Sequence, residues 1–307
     1  MNIYEELCKI VSEDQILKDE PMDKHTTFRA GGKADYLVMP SNEEQVRDLV
    51  LLLKKENVPY YVMGNGSNLL VRDQGFKGVI IQIARKMNQI RVEGETIYAQ
   101  AGALLSKIAA QALGEGLTGF EFASGIPGTL GGAVMMNAGA YGGEMKQVIV
   151  NACVLTSAGE IAVIPADLME LGYRTSVFAK NQDIILSAQL KLEYGNEAVI
   201  REYMDELKEQ RVSKQPLEYP SAGSTFKRPE GYFAGKLIQD AGLKGYTVGG
   251  AQVSEKHSGF VINRGGATAE EVVFLIKQVQ KKVMKQFNVM MQPEVRFVGF
   301  ADTEVRE

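Results

Sequence analysis

Residues 123–143 read ASGIPGTLGGAVMMNAGAYGG. Seven of them are glycine, an eighth (Gly119) stands just upstream, and none is charged. Glycine loses more conformational freedom on folding than any other residue, so a chain that concentrates it needs a reason. The reason is backbone that must pass close to something or must take φ > 0. A second cluster, GNGSNLL at 64–70, follows the apolar run YYVM at 60–63. Two strand-then-glycine segments in one chain suggest two backbone walls around one extended, phosphate-bearing ligand.

Known phosphate fingerprints do not fit. In a GxGxxG reading of residues 64–69, Leu69 stands where the third glycine belongs. A P-loop reading of 231–236 is one residue short, and Leu237 replaces the metal-binding hydroxyl. The remaining device is a nest of turn N–H groups, with Ser67, Asn68 and Asn137 adding side-chain donors. The plain alternative of tight turns between strands stays open for the shorter cluster. It accounts poorly for the longer one, because a turn needs only one or two glycines.

The chain has 307 residues, enough for two or three domains of about 100–200 residues. A net charge of −4 argues against a general nucleic-acid binder. No apolar run reaches about 18 residues, so no membrane span is expected. The first residues, MNIYEELCKI, are acidic and amphipathic, unlike a signal peptide. Cys8 and Cys153 are far apart, and His25 and His257 are the only histidines. With no CxxC or HExxH spacing, no protein-held metal is expected. These features suggest a cytoplasmic, monomeric protein.

Periodicity predicts a helix at 5–12, a loop at 21–32 and a strand at 34–39. A capping box Ser41-x-x-Glu44 precedes a helix with Val46, Leu49, Val50 and Leu53 on one face. Strands follow at 60–63, 79–83, 90–92 and 97–101. A helix carrying Leu105 and Ile108 ends near Gly114 and Gly116. Strands are expected at 148–156, 161–164 and 184–192, then a charged helix at 198–211. A helix at 233–241 is closed by Gly242. After a strand at 260–263, Thr268-x-x-Glu271 caps a helix with Val272, Leu275, Ile276, Val279 and Val283 on one side. A last strand is expected at 295–300. Breaks near 83–86 and 194–198 separate three α/β and α+β parts.

Seven segments carry a resemblance. They are HTTFRAGGKADYLV (25–38), GNGSNLLVRDQGFKGVII (64–81), SGIPGTLGGAVMMNAGAYGGE (124–144), YRTSVF (173–178), SAGSTFKRP (221–229), SEKHSGFVINRGGATAEEV (254–272) and QPEVRFVG (292–299). In order, and over nearly the whole chain, they resemble the UDP-N-acetylenolpyruvoylglucosamine reductase family. The resemblance implies an α+β chain with a vanillyl-alcohol-oxidase-like (PCMH-type) FAD-binding fold. Its two FAD-binding subdomains would be 1–85 and 86–197. An α+β substrate domain would be 198–307, with the last strand free to return to the first two. Only residues 183–219 separate the middle part from SAGSTFKRP. That is too short for the third-domain insertion and covering tyrosine of one branch, so the chain is similar to the shorter branch.

The implied reaction is NADPH-dependent reduction of the enolpyruvyl group of a UDP-sugar, a peptidoglycan precursor, through non-covalent FAD. Hydride arriving at the terminal CH₂ leaves an enolate that must be stabilised and protonated. Three residues match the family's catalytic positions. Ser224 corresponds to the proton donor. Arg174 suits a carboxylate-gripping fork. Glu294 is the third, with a carboxyl beside another carboxylate expected to hold its proton more tightly. FAD is expected along Gly64, Asn65, Gly66, Ser67 and Asn68, then Gly125, Ile126, Pro127, Gly128, Thr129, Gly131 and Gly132, and past Asn137, Ala138 and Gly139. Substrate contacts are expected at Tyr173, Lys214, Gly223, Lys227 and Arg296. Arg228 replaces an Asn found in some members, and His257 is read as a loop or supporting residue. Two alternatives remain, an O₂-using oxidase on the same scaffold and a non-enzymatic flavin-binding module.

Overall fold

Alternating apolar residues at 184–192 become the middle strand of a five-stranded antiparallel sheet. Its order is Ile161–Pro165, Ile149–Leu155, Ile184–Lys191, Thr96–Gln100 and Ile90–Glu93. Leu186, Ala188 and Leu190 are buried, whereas Ser187, Gln189 and Lys191 alternate with them on the more accessible face. Two register shifts interrupt the Ile149–Leu155 pairing, each a local bulge. This computed structural model describes residues 2–305. The chain forms two units. Unit 1 takes the chain up to Leu17, then Leu37–Asn65 and Val79–Arg211, while unit 2 takes Lys18–Tyr36, Gly66–Gly78 and the chain from Val212 onward.

In unit 1 the helix Glu43–Lys55 buries Val46, Leu49, Val50 and Leu53, the face expected from spacing. Its cap lies one residue later than expected. Asn42 is the N-cap, its side chain accepting from Gln45 N at 2.8 Å, while Gln45 Oε1 accepts from Ser41 N at 2.8 Å. Both Ser and Asn cap well; the residue three positions on, Gln45 rather than Glu44, decides between them. Tyr60–Met63 pairs in parallel with Phe76–Gln82, Tyr60 opposite Val79. The helix Leu105–Gly114 buries Leu105, Ile108, Ala109 and Ala112. The helix Leu130–Met135 packs against Ile184–Lys191.

Unit 2 is organised by the helix Ala269–Phe287. Thr268 and Glu271 form the expected capping box, and Val272, Leu275, Ile276, Val279 and Val283 are buried. The cap is worth about 1 kcal/mol, and each buried Val, Leu or Ile about 1.5–3 kcal/mol. Packing therefore outweighs capping in holding this helix. It closes a core with Phe28, Leu70, Phe226, Leu237 and Val253. Three short antiparallel strands, Thr247–Val248, Ala251–Val253 and Val261–Asn263, lie against it. The last strand, Arg296–Val298, pairs in parallel with Leu69–Val71, directly after the first glycine cluster.

Candidate active site

In unit 1 the two glycine segments touch. Asn65 Nδ2 donates to Pro127 O at 2.7 Å. A Cβ at Gly64 would lie 2.1 Å from Thr129 Oγ1, and one at Gly131 would lie 2.9 Å from Ala101 Cβ. Gly131 N–H donates to Ala101 O at 2.8 Å. Here glycine is required because a side chain would strike Thr129 at Gly64 and Ala101 at Gly131. The long stretch is not one loop. It comprises a turn through Gly125–Gly128, the helix Leu130–Met135, and a hairpin of Gly139–Ala140 with Gly143–Glu144. Tyr141 and Gly142 take φ 53° and +86° at the hairpin tip, as a tight primed turn requires. Two adjacent glycines hide this short helix from propensity.

Arg174 sits on a two-residue turn closed by Gly172 N to Thr175 O at 3.2 Å and Thr175 N to Gly172 O at 3.3 Å. Its φ of 55° is uncommon for a residue with a Cβ. Its guanidinium lies 5.3 Å from the Tyr173 ring centroid, and Nη2 approaches Gly139 O at 3.5 Å. Asn137, 1% exposed, clips this turn to the hairpin. Its Nδ2 donates to Glu144 Oε2 at 2.8 Å and Gly172 O at 3.2 Å, and its Oδ1 accepts from Lys146 N at 2.8 Å. Ser176 Oγ adds a bond to Met135 O at 2.7 Å. Asn137 was expected to offer its side chain to a phosphate. Its carboxamide is instead committed to the protein, where it positions Arg174.

In unit 2 Ser224 and Glu294 come together. Glu294 N donates to Thr225 O at 2.8 Å, and Lys227 N to Gln292 O at 2.9 Å. On the other side, Thr225 N donates to Gly259 O at 2.9 Å and Thr225 Oγ1 accepts from Val261 N at 2.9 Å. Ala222, Thr225 and Phe226 are buried, which fixes the turn while Ser224 stays exposed. Among the described residues the Ser224 hydroxyl has no hydrogen-bond partner. Gly223 has φ +73° and nothing within 4 Å of its Cβ position, so it serves the backbone angle rather than space. Asn68 Nδ2 donates to Glu294 O at 3.0 Å, and Asn68 O accepts from Arg296 N at 2.9 Å. Asn68, expected to offer its side chain to a phosphate, thus gives one amide N–H to the Glu294 carbonyl.

His257 was read only as a supporting residue, and the structure shows what it supports. Its Nδ1 accepts from Gly259 N at 3.1 Å, and Gly259 O holds Thr225. Burial holds its pKa below the ordinary value of 6.5, so the neutral ring carries its proton on Nε2. Arg228 stacks 4.0 Å from the Phe233 centroid and donates to Tyr232 O at 3.3 Å. Arg296 and Lys214 are exposed, and Lys227 is half-buried.

A family model described as FAD binding domain matches residues 34–164. One described as UDP-N-acetylenolpyruvoylglucosamine reductase, C-terminal domain, matches residues 215–298. The UDP-N-acetylenolpyruvoylglucosamine reductase of Alkaliphilus oremlandii is 51% identical over 299 residues, 97% of this chain and 98% of its own length. That of Clostridium perfringens is 54% identical over the same shares. The chain belongs to the UDP-N-acetylenolpyruvoylglucosamine reductase family. A crystal structure of the reductase from Thermus caldophilus has a TM-score of 0.78 at 32% identity, covering 92% of this chain and 98% of that one. A variant of Phl p 4, a glucose oxidase, reaches a TM-score of 0.50 at 14% identity over 64% of this chain, a likeness of fold alone.

As a member of this reductase family the chain is an FAD-dependent oxidoreductase with the α+β, PCMH-type architecture. One observation independent of the comparisons fits FAD. Beside Gly66, whose carbonyl accepts from Thr27 N at 3.2 Å, the hydroxyls of Thr26 and Thr27 are buried with no partner among the described residues. Such an orphan costs about 1–3 kcal/mol, which a hydrogen-bonding ligand reaching it would relieve. Among the described residues no three His, Cys, Asp or Glu side chains group to hold a metal, and no helix is long and apolar enough to cross a membrane.

Proposed function

We propose that the protein uses NADPH to reduce the enolpyruvyl group of UDP-N-acetylglucosamine enolpyruvate to UDP-N-acetylmuramate, in peptidoglycan precursor synthesis in the cytoplasm. FAD, when bound, supplies hydride transfer between the two substrates. The observation that carries the reading is the pairing in unit 2, where an exposed serine hydroxyl stands on a buried turn whose next residue, Thr225, accepts from Glu294 N.

The substrate double bond takes hydride at its terminal CH₂, and negative charge spreads toward its carboxylate. Ser224 Oγ–H donates a proton to the adjacent carbon and is reprotonated from solvent. A serine is a weak acid, so it serves only because that carbon is strongly basic and the hydroxyl is held in place. Arg174 grips the substrate carboxylate, its fork pre-aimed by the strained turn and the Asn137 clip. Glu294 hydrogen-bonds the enol in its protonated form. Tyr173, Lys214, Gly223, Lys227 and Arg296 contact the UDP-sugar, the cations meeting its charged groups. FAD follows the backbone of 64–68, 125–132 and 137–139, with Asn137 contributing main chain only.

The test separates two stages without oxygen. In Ser224→Ala, NADPH should bleach the bound flavin at the wild-type rate. Colour return with the enolpyruvyl sugar should slow about 10²–10⁴-fold, the usual worth of general acid catalysis. Equal loss in both stages would sink the proton-donor role.

A further inference from the structure

Asn263 ends the strand Val261–Asn263 and is 5% exposed. Both halves of its carboxamide are fully engaged. Nδ2 donates to Phe28 O at 3.1 Å and to Arg29 O at 3.2 Å, while Oδ1 accepts from Gly265 N at 2.9 Å and from Ala267 N at 3.1 Å. Its backbone N–H donates to Pro220 O at 2.8 Å. An ionised aspartate carries acceptors only and a serine one donor, so an amide is the group that satisfies two carbonyls and two N–H groups at once.

Two segments of unit 2 meet at this residue. The first is the loop at 25–29. Arg29 N donates to Thr26 O at 3.2 Å, Thr27 N donates to Gly66 O at 3.2 Å, and a Cβ at Gly66 would strike His25 O. This loop therefore seats Gly66, in the glycine cluster along which FAD is proposed to lie. Arg29 has φ 52°, uncommon for a residue with a Cβ. A left-handed residue, unlike an extended one, points its own carbonyl and the preceding one the same way, and here one Nδ2 reaches both. The second segment is the turn that carries Ser224. Its near end is held by Asn263 N on Pro220 O and by the bridge of Ser221 to Ile262. Its far end is held by Thr225 N on Gly259 O and by Val261 N on Thr225 Oγ1. Ala222, Gly223 and Ser224 span the interval.

We propose that Asn263 is a positioning residue that fixes the separation between Gly66, on the FAD side, and the Ser224 hydroxyl. Hydride and proton must reach adjacent carbons of one double bond, so a misplacement of about 1 Å between their sources costs about 10²-fold. The inference rests on the proposed roles of FAD and Ser224. It adds a residue that touches neither reacting group and acts through the two segments it joins.

The experiment uses Asn263→Asp, a near-isosteric change that keeps both acceptor contacts and removes both donors. In the flavin-free protein, amide hydrogen exchange should quicken over residues 25–29 and keep its wild-type rate in the second half of the helix Ala269–Phe287. In the flavin-loaded protein without oxygen, bleaching by NADPH should keep its wild-type rate. Colour return with the enolpyruvyl sugar should slow about 10–100-fold, with a larger solvent deuterium isotope effect on that step. Acidification should recover part of the lost rate, because the new carboxyl regains a donor when protonated; the wild-type step should show no such recovery. If Asn263→Asp does not fold, Asn263→Gln keeps both groups but displaces them by one methylene, and the same two-stage comparison applies. A folded variant with unchanged colour return would overturn the proposal, as would one whose two stages slow alike with neither an isotope effect nor acid recovery. Equal loss in both stages for Ser224→Ala would instead overturn the reading beneath it.

Discussion

Glycine serves opposite ends in the two units. At Gly131 in unit 1 the φ angle is ordinary and space is lacking, since a Cβ would meet Ala101 Cβ at 2.9 Å. At Gly223 in unit 2 space is ample and the angle is special, φ +73° with nothing within 4 Å. The first lets the chain close on Ala101, whose carbonyl accepts from Gly131 N. The second bends the chain to leave one hydroxyl, that of Ser224, standing clear of a buried turn. A cofactor that stays bound suits the first construction. A proton donor that must meet a passing substrate suits the second.

That contrast breaks most visibly at Gly131. Gly131→Asp adds both bulk and negative charge to the helix Leu130–Met135, along which FAD is proposed to lie, and the purified protein should be colourless. A fully yellow variant would remove FAD from this helix. Next in size, Arg174→Lys keeps the charge but loses the planar fork and the stacking on Tyr173. Loss of a charged hydrogen bond is worth about 1.5–3 kcal/mol, so kcat/KM should drop about 10–100-fold while FAD content holds. A near-normal Lys variant means that Arg174 does not grip the carboxylate.

Milder substitutions sharpen the comparison. Gly131→Ala should cost about 1–3 kcal/mol from overpacking, and Ala101→Gly should rescue it. Gly223→Ala should cost about 1–2 kcal/mol from its left-handed angle. Gly223→Asn should cost less, because Asn tolerates that angle. If Asn is the worse substituent at 223, or Ala101→Gly gives no rescue, the two roles have been misassigned. Urea denaturation of all five proteins reads these values.

The smallest effect concerns pH. His257 has a folded pKa below 6.5 because burial disfavours its charge. Below about 6.5 the unfolded chain therefore binds more protons than the folded one. Stability from this residue is complete above that pH and is lost as pH falls through the folded pKa. The melting temperature of His257→Gln should fall less between pH 7 and pH 5 than that of wild type. Parallel declines would contradict the neutral ring bonded to Gly259.

The parts of the fold that were legible in the sequence are those written in local periodicity. Val46, Leu49, Val50 and Leu53, the Thr268–Glu271 box and the strand at 60–63 stand as expected. Contacts between distant segments were not legible. Leu69–Val71 is three residues long and becomes a strand only because Arg296–Val298 pairs with it. The helix Leu130–Met135 lies inside what reads as loop, because Gly131 and Gly132 mask it. The order of recognisable words gave the site candidates, but not the partners of their side chains. Asn137 reads as a ligand donor because a short amide in a glycine turn is ambiguous until its acceptors are known. The left-handed φ of Arg174, fixed by a turn and a remote asparagine, has no signature of its own.

The most direct test is an anaerobic titration of the wild-type holoprotein, followed by its visible spectrum. NADPH should bleach the flavin bands, and UDP-N-acetylglucosamine enolpyruvate should restore them without oxygen. A protein that bleaches but recovers only when oxygen is admitted contradicts the account and makes the chain an oxidase.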